Sequence, residues 1–151
     1  GLAVSGKGNN AWNAYVASLN ILKRKVLFSK SNLLVSDLFA PGTDGNRKSL
    51  EKHHLFPKKY LATKGYGQSQ ANQMANYAYI DWKDNMAILD EAPAIYYPQI
   101  IKEMSESEII KMEADNALPR GWENMEYEEF LKARRVLMAQ IIKQGFDELM
   151  K

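Results

Sequence analysis

The chain has 151 residues, 46% hydrophobic and 25% charged, with a formal net charge of +2 and no cysteine. A chain of this length buries on the order of 70% of its unfolded surface, so one domain can fold without staples. The absence of cysteine excludes a disulfide framework and a thiolate zinc site. No apolar run reaches the roughly 20 residues of a membrane span and no signal-peptide pattern opens the chain, so a cytoplasmic protein with no membrane partner is expected. The first residue is Gly1 and not methionine, and the chain is expected to be an excised or tag-cleaved fragment of something longer.

In chain order, Trp12, Tyr15, Val16, Leu19, Leu22 and Val26 recur at helical spacing. They predict an amphipathic helix over 10–27, with Lys23, Arg24 and Lys25 near its end, where cations suit the dipole. A shorter helix is expected over 31–39, and Pro41-Gly42 and Asp44-Gly45-Asn46 then break the chain into a loop. Residues 50–55 form a candidate strand that Pro57 stops or confines to an edge. A short helical turn at 58–64, a polar loop at 65–70 and a second aromatic strand at 77–80 follow. The polar segment 81–85 leads into a short helix, and Glu91-Ala92-Pro93 starts another turn. Ser105 and Glu108 have capping-box spacing ahead of a helix over 106–115. Residues 118–121 are a loop. From Glu126, the residues Phe130, Leu137, Met138, Ile141, Ile142, Phe146 and Leu149 trace one apolar stripe along a long final helix. The pattern is α+β and mostly helical: helices, a small two-stranded element with a helix, then more helices. Trp12, Trp82 and Trp122 are expected in the core, whereas Tyr66, in its polar loop, is placed to stack on a base.

Charge is unevenly distributed. Residues 1–102 hold 13 Lys and Arg against 7 Asp and Glu, a balance of +6, whereas residues 103–151 hold 7 against 11, a balance of −4. Six basic residues (Arg47, Lys48, Lys52, Lys58, Lys59, Lys64) fall between 41 and 64 against Asp44 and Glu51. A basic stretch around the only two histidines suits a polyanionic partner, although a solvated lysine-rich surface gives the same pattern.

Those histidines are adjacent. The run Leu50-Glu51-Lys52-His53-His54-Leu55-Phe56-Pro57-Lys58 precedes Asn76-Tyr77-Ala78-Tyr79-Ile80 and Lys83-Asp84-Asn85. This pattern resembles the HNH, or His-Me finger, nucleases, whose ββα-metal unit carries a metal ligand and a general-base histidine on its first strand. HHLFPK, NQMANYAYIDWKDN with its following DEAP and Tyr96, and LPRGWENM with FLKARR are further similar to the C-terminal region of large bacterial proteins related to the GmrSD modification-dependent restriction enzymes. The resemblance implies a single domain over 1–151 that is a C-terminal fragment of a longer protein, with a ββα-metal core at 48–98 between flanking helices at 10–40 and 104–151. It implies a missing N-terminal ParB-like domain and a DNA endonuclease working in restriction or defence.

The resemblance also implies roles. His54 would be the general base, since a neutral imidazole can take a proton from an attacking water. His53 and Asn85 would bind one divalent metal ion. Many relatives carry aspartate at the position of His53, and imidazole favours Mn²⁺, Ni²⁺, Co²⁺ or Zn²⁺ over Mg²⁺. Asn76 would hold the loop and help orient His54. Lys52, Lys58, Lys59 and Lys64 are the candidates for phosphate contacts. Successive strand side chains point to opposite faces, so His53 and His54 can serve one phosphate only at a twist or strand end. Glu51 shares the face of His53 and is a further candidate ligand. Two other readings fit the same residues: a degenerate, nucleic-acid-binding relative, and a helical interaction module of a larger protein.

Overall fold

A computed structural model describes residues 10–39, 52–81 and 90–151. The fold over these residues is α+β and mostly helical, with one two-stranded antiparallel sheet. Helix α1 (Asn10–Ile21) buries Trp12, Tyr15, Ser18 and Leu19 on one face. It ends earlier than its apolar spacing predicts. Lys23 adopts a left-handed conformation (φ 56°), its amide donates to the Asn20 carbonyl at 3.2 Å, and the Arg24 amide donates to the Leu19 carbonyl at 2.8 Å. This pair of bonds is the Schellman closure, which satisfies the last carbonyls and turns the chain out of the helix. Val26 is buried for a different reason. The chain after Arg24 is extended, bridging antiparallel to Leu34 through Lys25 and parallel to Ile80 through Leu27. One apolar residue at position 26 satisfied both periods, and the main-chain pairing decided between them. The helix expected over 31–39 shrinks to a 3₁₀ turn at Val35–Phe39, because residues 33 and 34 are engaged with 25 and 26.

Strand β1 (Lys52–His54) leads through Phe56 and Pro57 into α2 (Lys58–Thr63). The segment expected as a polar loop contains a helical turn, α3 (Gln68–Ala71), where the Gln70 side chain accepts from the Gly67 amide at 2.7 Å. A 3₁₀ turn at Met74–Asn76 delivers the chain to β2 (Tyr77–Tyr79). The helix expected after β2, the one that would complete a ββα unit, lies outside the described residues, as do Trp82, Asn85, Glu51, Arg47 and Lys48. Helix α4 (Pro93–Ile100) begins on a proline, which gives up no bond at a helix start. Helix α5 (Glu106–Asp115) has the expected capping box, with Ser105 and Glu108 exchanging hydrogen bonds at 3.2 and 2.9 Å. Helix α6 (Tyr127–Leu149) closes the fold. No helix among the described residues is long and apolar enough to cross a membrane.

The core is aromatic. Fully buried Trp122 meets the rings of Phe56, Tyr96, Tyr97 and Phe130 at centroid distances of 5.0–6.2 Å. Phe56, two residues past β1, thus anchors the exit of that strand. Trp12 is buried as expected. Tyr66 packs its ring against Tyr127 at 5.1 Å, half-buried at the core's edge. In the apolar stripe of α6, Phe130, Met138 and Ile141 are buried and Leu137 and Ile142 half-buried, but Phe146 and Leu149 are exposed, at 61% and 62%. Gly145 marks the limit: its backbone crosses α1 at Ser18, and α1 is only 12 residues long.

Candidate functional site

The site is built on two three-residue strands. They pair in the register Lys52 with Tyr79, His53 with Ala78 and His54 with Tyr77. Just past β1, the Leu55 amide donates to the Asn76 carbonyl at 2.8 Å. Hydrogen-bonded and non-hydrogen-bonded pairs alternate along an antiparallel ladder, so His54 and Tyr77 form the second kind, in which side chains come closest. Their ring centroids are 4.7 Å apart. Alternation sets Lys52, His54, Tyr77 and Tyr79 on one face and His53 and Ala78 on the other. The adjacent histidines therefore diverge, and β1 ends at His54.

The His54 imidazole is held by a residue that the sequence did not single out. Its Nε2 lies 2.8 Å from Asn72 Oδ1, and the Tyr77 hydroxyl donates to the same oxygen at 3.1 Å. A carboxamide oxygen only accepts, and its two lone pairs take both bonds. Nε2 therefore carries the proton, and the free lone pair of the neutral ring is on Nδ1. Burial holds the His54 pKa below the ordinary histidine value, with smaller contributions from the nearby Lys58 and His53, while the Asn72 hydrogen bond opposes them.

Asn76 is fully buried, and its carboxamide is spent on the main chain. Oδ1 accepts from the Phe56 amide at 2.8 Å, and Nδ2 donates to the carbonyls of Phe56 and Ala71, both at 3.0 Å. It ties the exit of β1 to the end of α3; the carboxamide that meets the His54 ring belongs to Asn72. Lys52 shares the His54 face. Its ammonium lies 4.9 Å from the Tyr77 ring centroid and 5.4 Å from that of Trp12, so Lys52 and His54 both pack against Tyr77. Partial burial lowers the Lys52 pKa. Lys58 and Lys59 are exposed on α2, and Lys64 is exposed at its end. Lys59 is 3.8 Å from Asp90, and Lys64 lies 5.9 Å from the Tyr60 ring centroid.

Behind the strands, on α6, the guanidinium of Arg134 is buried and donates to carbonyls at residues 75, 77, 116 and 117. Of the two expected metal donors, His53 is half-buried on β1 and Asn85 lies outside the described residues. Among the described residues, no group of three or more His, Asp or Glu side chains converges to hold a metal ion. No family model, no curated protein and no solved structure matches the chain.

Proposed function

We propose that the chain is a metal-dependent endonuclease domain of the HNH type that hydrolyses DNA phosphodiester bonds, with His54 as its general base. The observation that carries this reading is the fixed His54 ring: Nε2–H is committed to Asn72, which leaves Nδ1 as the basic atom. A neutral imidazole of set tautomer and lowered pKa is ready to accept a proton at neutral pH. In the reaction, water oxygen attacks phosphorus while Nδ1 takes the proton. The bond from phosphorus to the 3′ oxygen breaks, that oxygen takes a proton from a solvent water, and the proton on Nδ1 returns to solvent, giving 5′-phosphate and 3′-hydroxyl ends. Lys52, on the His54 face, contacts the phosphate being cut, and Lys58, Lys59 and Lys64 contact its neighbours.

His53 and Asn85 would hold the metal. Their donors, an imidazole nitrogen and a carboxamide oxygen, carry no negative charge, a set that suits Mn²⁺, Co²⁺, Ni²⁺ or Zn²⁺ better than Mg²⁺. Such an ion supplies positive charge for the phosphate oxygens and the leaving group. Restriction or defence, with a ParB-like N-terminal domain in the same protein, is the setting in which this activity would operate. The test is plasmid nicking with Mn²⁺, Ni²⁺, Co²⁺, Zn²⁺ or Mg²⁺, each with and without chelator. Nicking that requires one of the transition ions is expected; nicking unaffected by chelation contradicts the reading.

A further inference from the structure

We infer that α6 is the positioning element of the His54 site, acting through Tyr127 and Arg134. The inference rests on His54 being the working residue of the site, but not on what reaction it performs. Tyr127 and Arg134 are seven residues apart, two helical turns, and so lie on one face of α6. Each reaches the loop that holds the His54 ring, from a different side. The Tyr127 hydroxyl donates to the Gln70 carbonyl at 2.7 Å, with the Ala71 carbonyl at 3.4 Å. Arg134 Nη1 donates to the carbonyls of Ala75 at 2.9 Å and Tyr77 at 2.6 Å. Between these anchors lie Asn72 and Asn76, and Tyr77 ends the span. Asn72 meets the His54 ring by a hydrogen bond and Tyr77 by ring contact.

The main-chain geometry explains why Arg134 reaches these carbonyls. Asn76 turns its carbonyl toward β1, where the Leu55 amide takes it. Tyr77, in the non-hydrogen-bonded pair with His54, turns its own carbonyl away from β1. A strand on that side would pair it; here the Arg134 guanidinium does, and it also takes the Ala75 carbonyl in the 3₁₀ turn just before β2. The other end of Arg134 is fixed in turn, with Nε 3.3 Å from the Ala117 carbonyl and Nη2 3.4 Å from that of Asn116. Arg134 thus locks β2 to the turn after α5. Burying a guanidinium against neutral carbonyls is expensive, and an apolar side chain would fill the space at less cost. What an apolar side chain cannot do is fix the position of the Tyr77 backbone. Arginine is suited to this because its planar fork serves several acceptors in set directions.

A purely structural role predicts that α6 variants lower stability and leave the His54 ring as it was. A positioning role predicts that the ring itself responds. The two are separated by NMR of the full chain with ¹⁵N-labelled histidine, at one fixed neutral pH and without metal. The variants are Tyr127→Phe and Arg134→Lys, with Ile141→Val as a control that changes α6 packing away from the loop. Tyr127→Phe keeps the ring packed against Phe56 (5.3 Å) and Tyr66 (5.1 Å), so it is the variant to rely on if Arg134→Lys does not fold. The expected result is a single Nε2–H tautomer for His54 in the parent and in Ile141→Val. In Tyr127→Phe and Arg134→Lys, that proton should exchange with solvent roughly tenfold faster or more and the tautomers should mix. Unchanged His54 signals in folded Tyr127→Phe and Arg134→Lys overturn the inference, whatever happens to cleavage. A parent chain that cleaves no DNA but whose His54 signals respond as expected refutes the nuclease reading and upholds the positioning role of α6.

Discussion

Replacing Asn76 with alanine tests how the loop behind His54 is held. The carboxamide is fully buried and makes three hydrogen bonds, at 2.8, 3.0 and 3.0 Å. Alanine leaves the Phe56 amide and two carbonyls, all on buried residues, without these partners. Each buried group so stranded costs about 1–3 kcal/mol; the amide costs most, because a carbonyl keeps a second lone pair for other bonds. The lost side-chain volume adds a smaller amount. We expect Asn76→Ala to lower the unfolding free energy by about 3–5 kcal/mol, a large share of the roughly 5–15 kcal/mol typical of a domain. Urea titration followed by tryptophan fluorescence reads this directly, since Trp12 and Trp122 are both buried. The midpoint should fall with little change in slope. Asn76→Asp keeps an acceptor for the Phe56 amide but sets a second carboxyl oxygen against two carbonyls. Its deficit should therefore shrink at acidic pH, where the carboxyl is protonated and can donate to one of them. A loss below about 1 kcal/mol for Asn76→Ala would refute the claim that this carboxamide ties β1 to α3.

Three further outcomes follow from the same geometry. A Cβ at Gly145 would lie 2.7 Å from Ser18 Cβ and 3.0 Å from Ser18 Cα, so Gly145→Ala must push α1 and α6 apart. Overpacking of about 1–3 kcal/mol should outweigh the gain of up to about 1 kcal/mol from removing a helical glycine, and a raised melting temperature would contradict this. Ser105→Ala removes the cap of α5 and should cost about 1 kcal/mol in urea unfolding; no change would mean the cap is idle. His54 resists protonation in the folded protein, so the unfolded chain binds the extra proton first as pH falls below about 6.5. Stability of the metal-free protein should fall from there until folded His54 also titrates. The drop in urea midpoint between about pH 7.5 and pH 5.5 should be smaller in His54→Gln than in the parent.

Much of the fold could be read in the sequence wherever a local signal had no competitor. The capping box at Ser105 and the apolar stripe from Phe130 to Ile141 gave α5 and most of α6. The errors came where long-range pairing overrode local period. Val26 continued a helical pattern but lies in extended chain between two bridge residues, Lys25 and Leu27, and Phe146 and Leu149 continued a stripe past the last residue that α1 could cover. At the site, the histidine pair and Asn76 stood out by residue type. Asn72 did not, because an asparagine in a polar run carries no sign of what it will face. Arg134 did leave a trace: a cation between Leu131 and Met138, at helical spacing within an otherwise apolar face of α6. Such a residue on a buried stripe asks what it pairs with, and here the answer is the main chain around Asn76.

In the proposed reaction His54 takes the proton of the attacking water. Single-turnover nicking of supercoiled plasmid by the parent and His54→Ala, under the metal condition that supports the fastest parent reaction, tests it most directly. Loss of a positioned general base should slow cleavage by about 10²–10⁴-fold while metal and DNA binding persist. Equal rates for the two proteins would contradict the account.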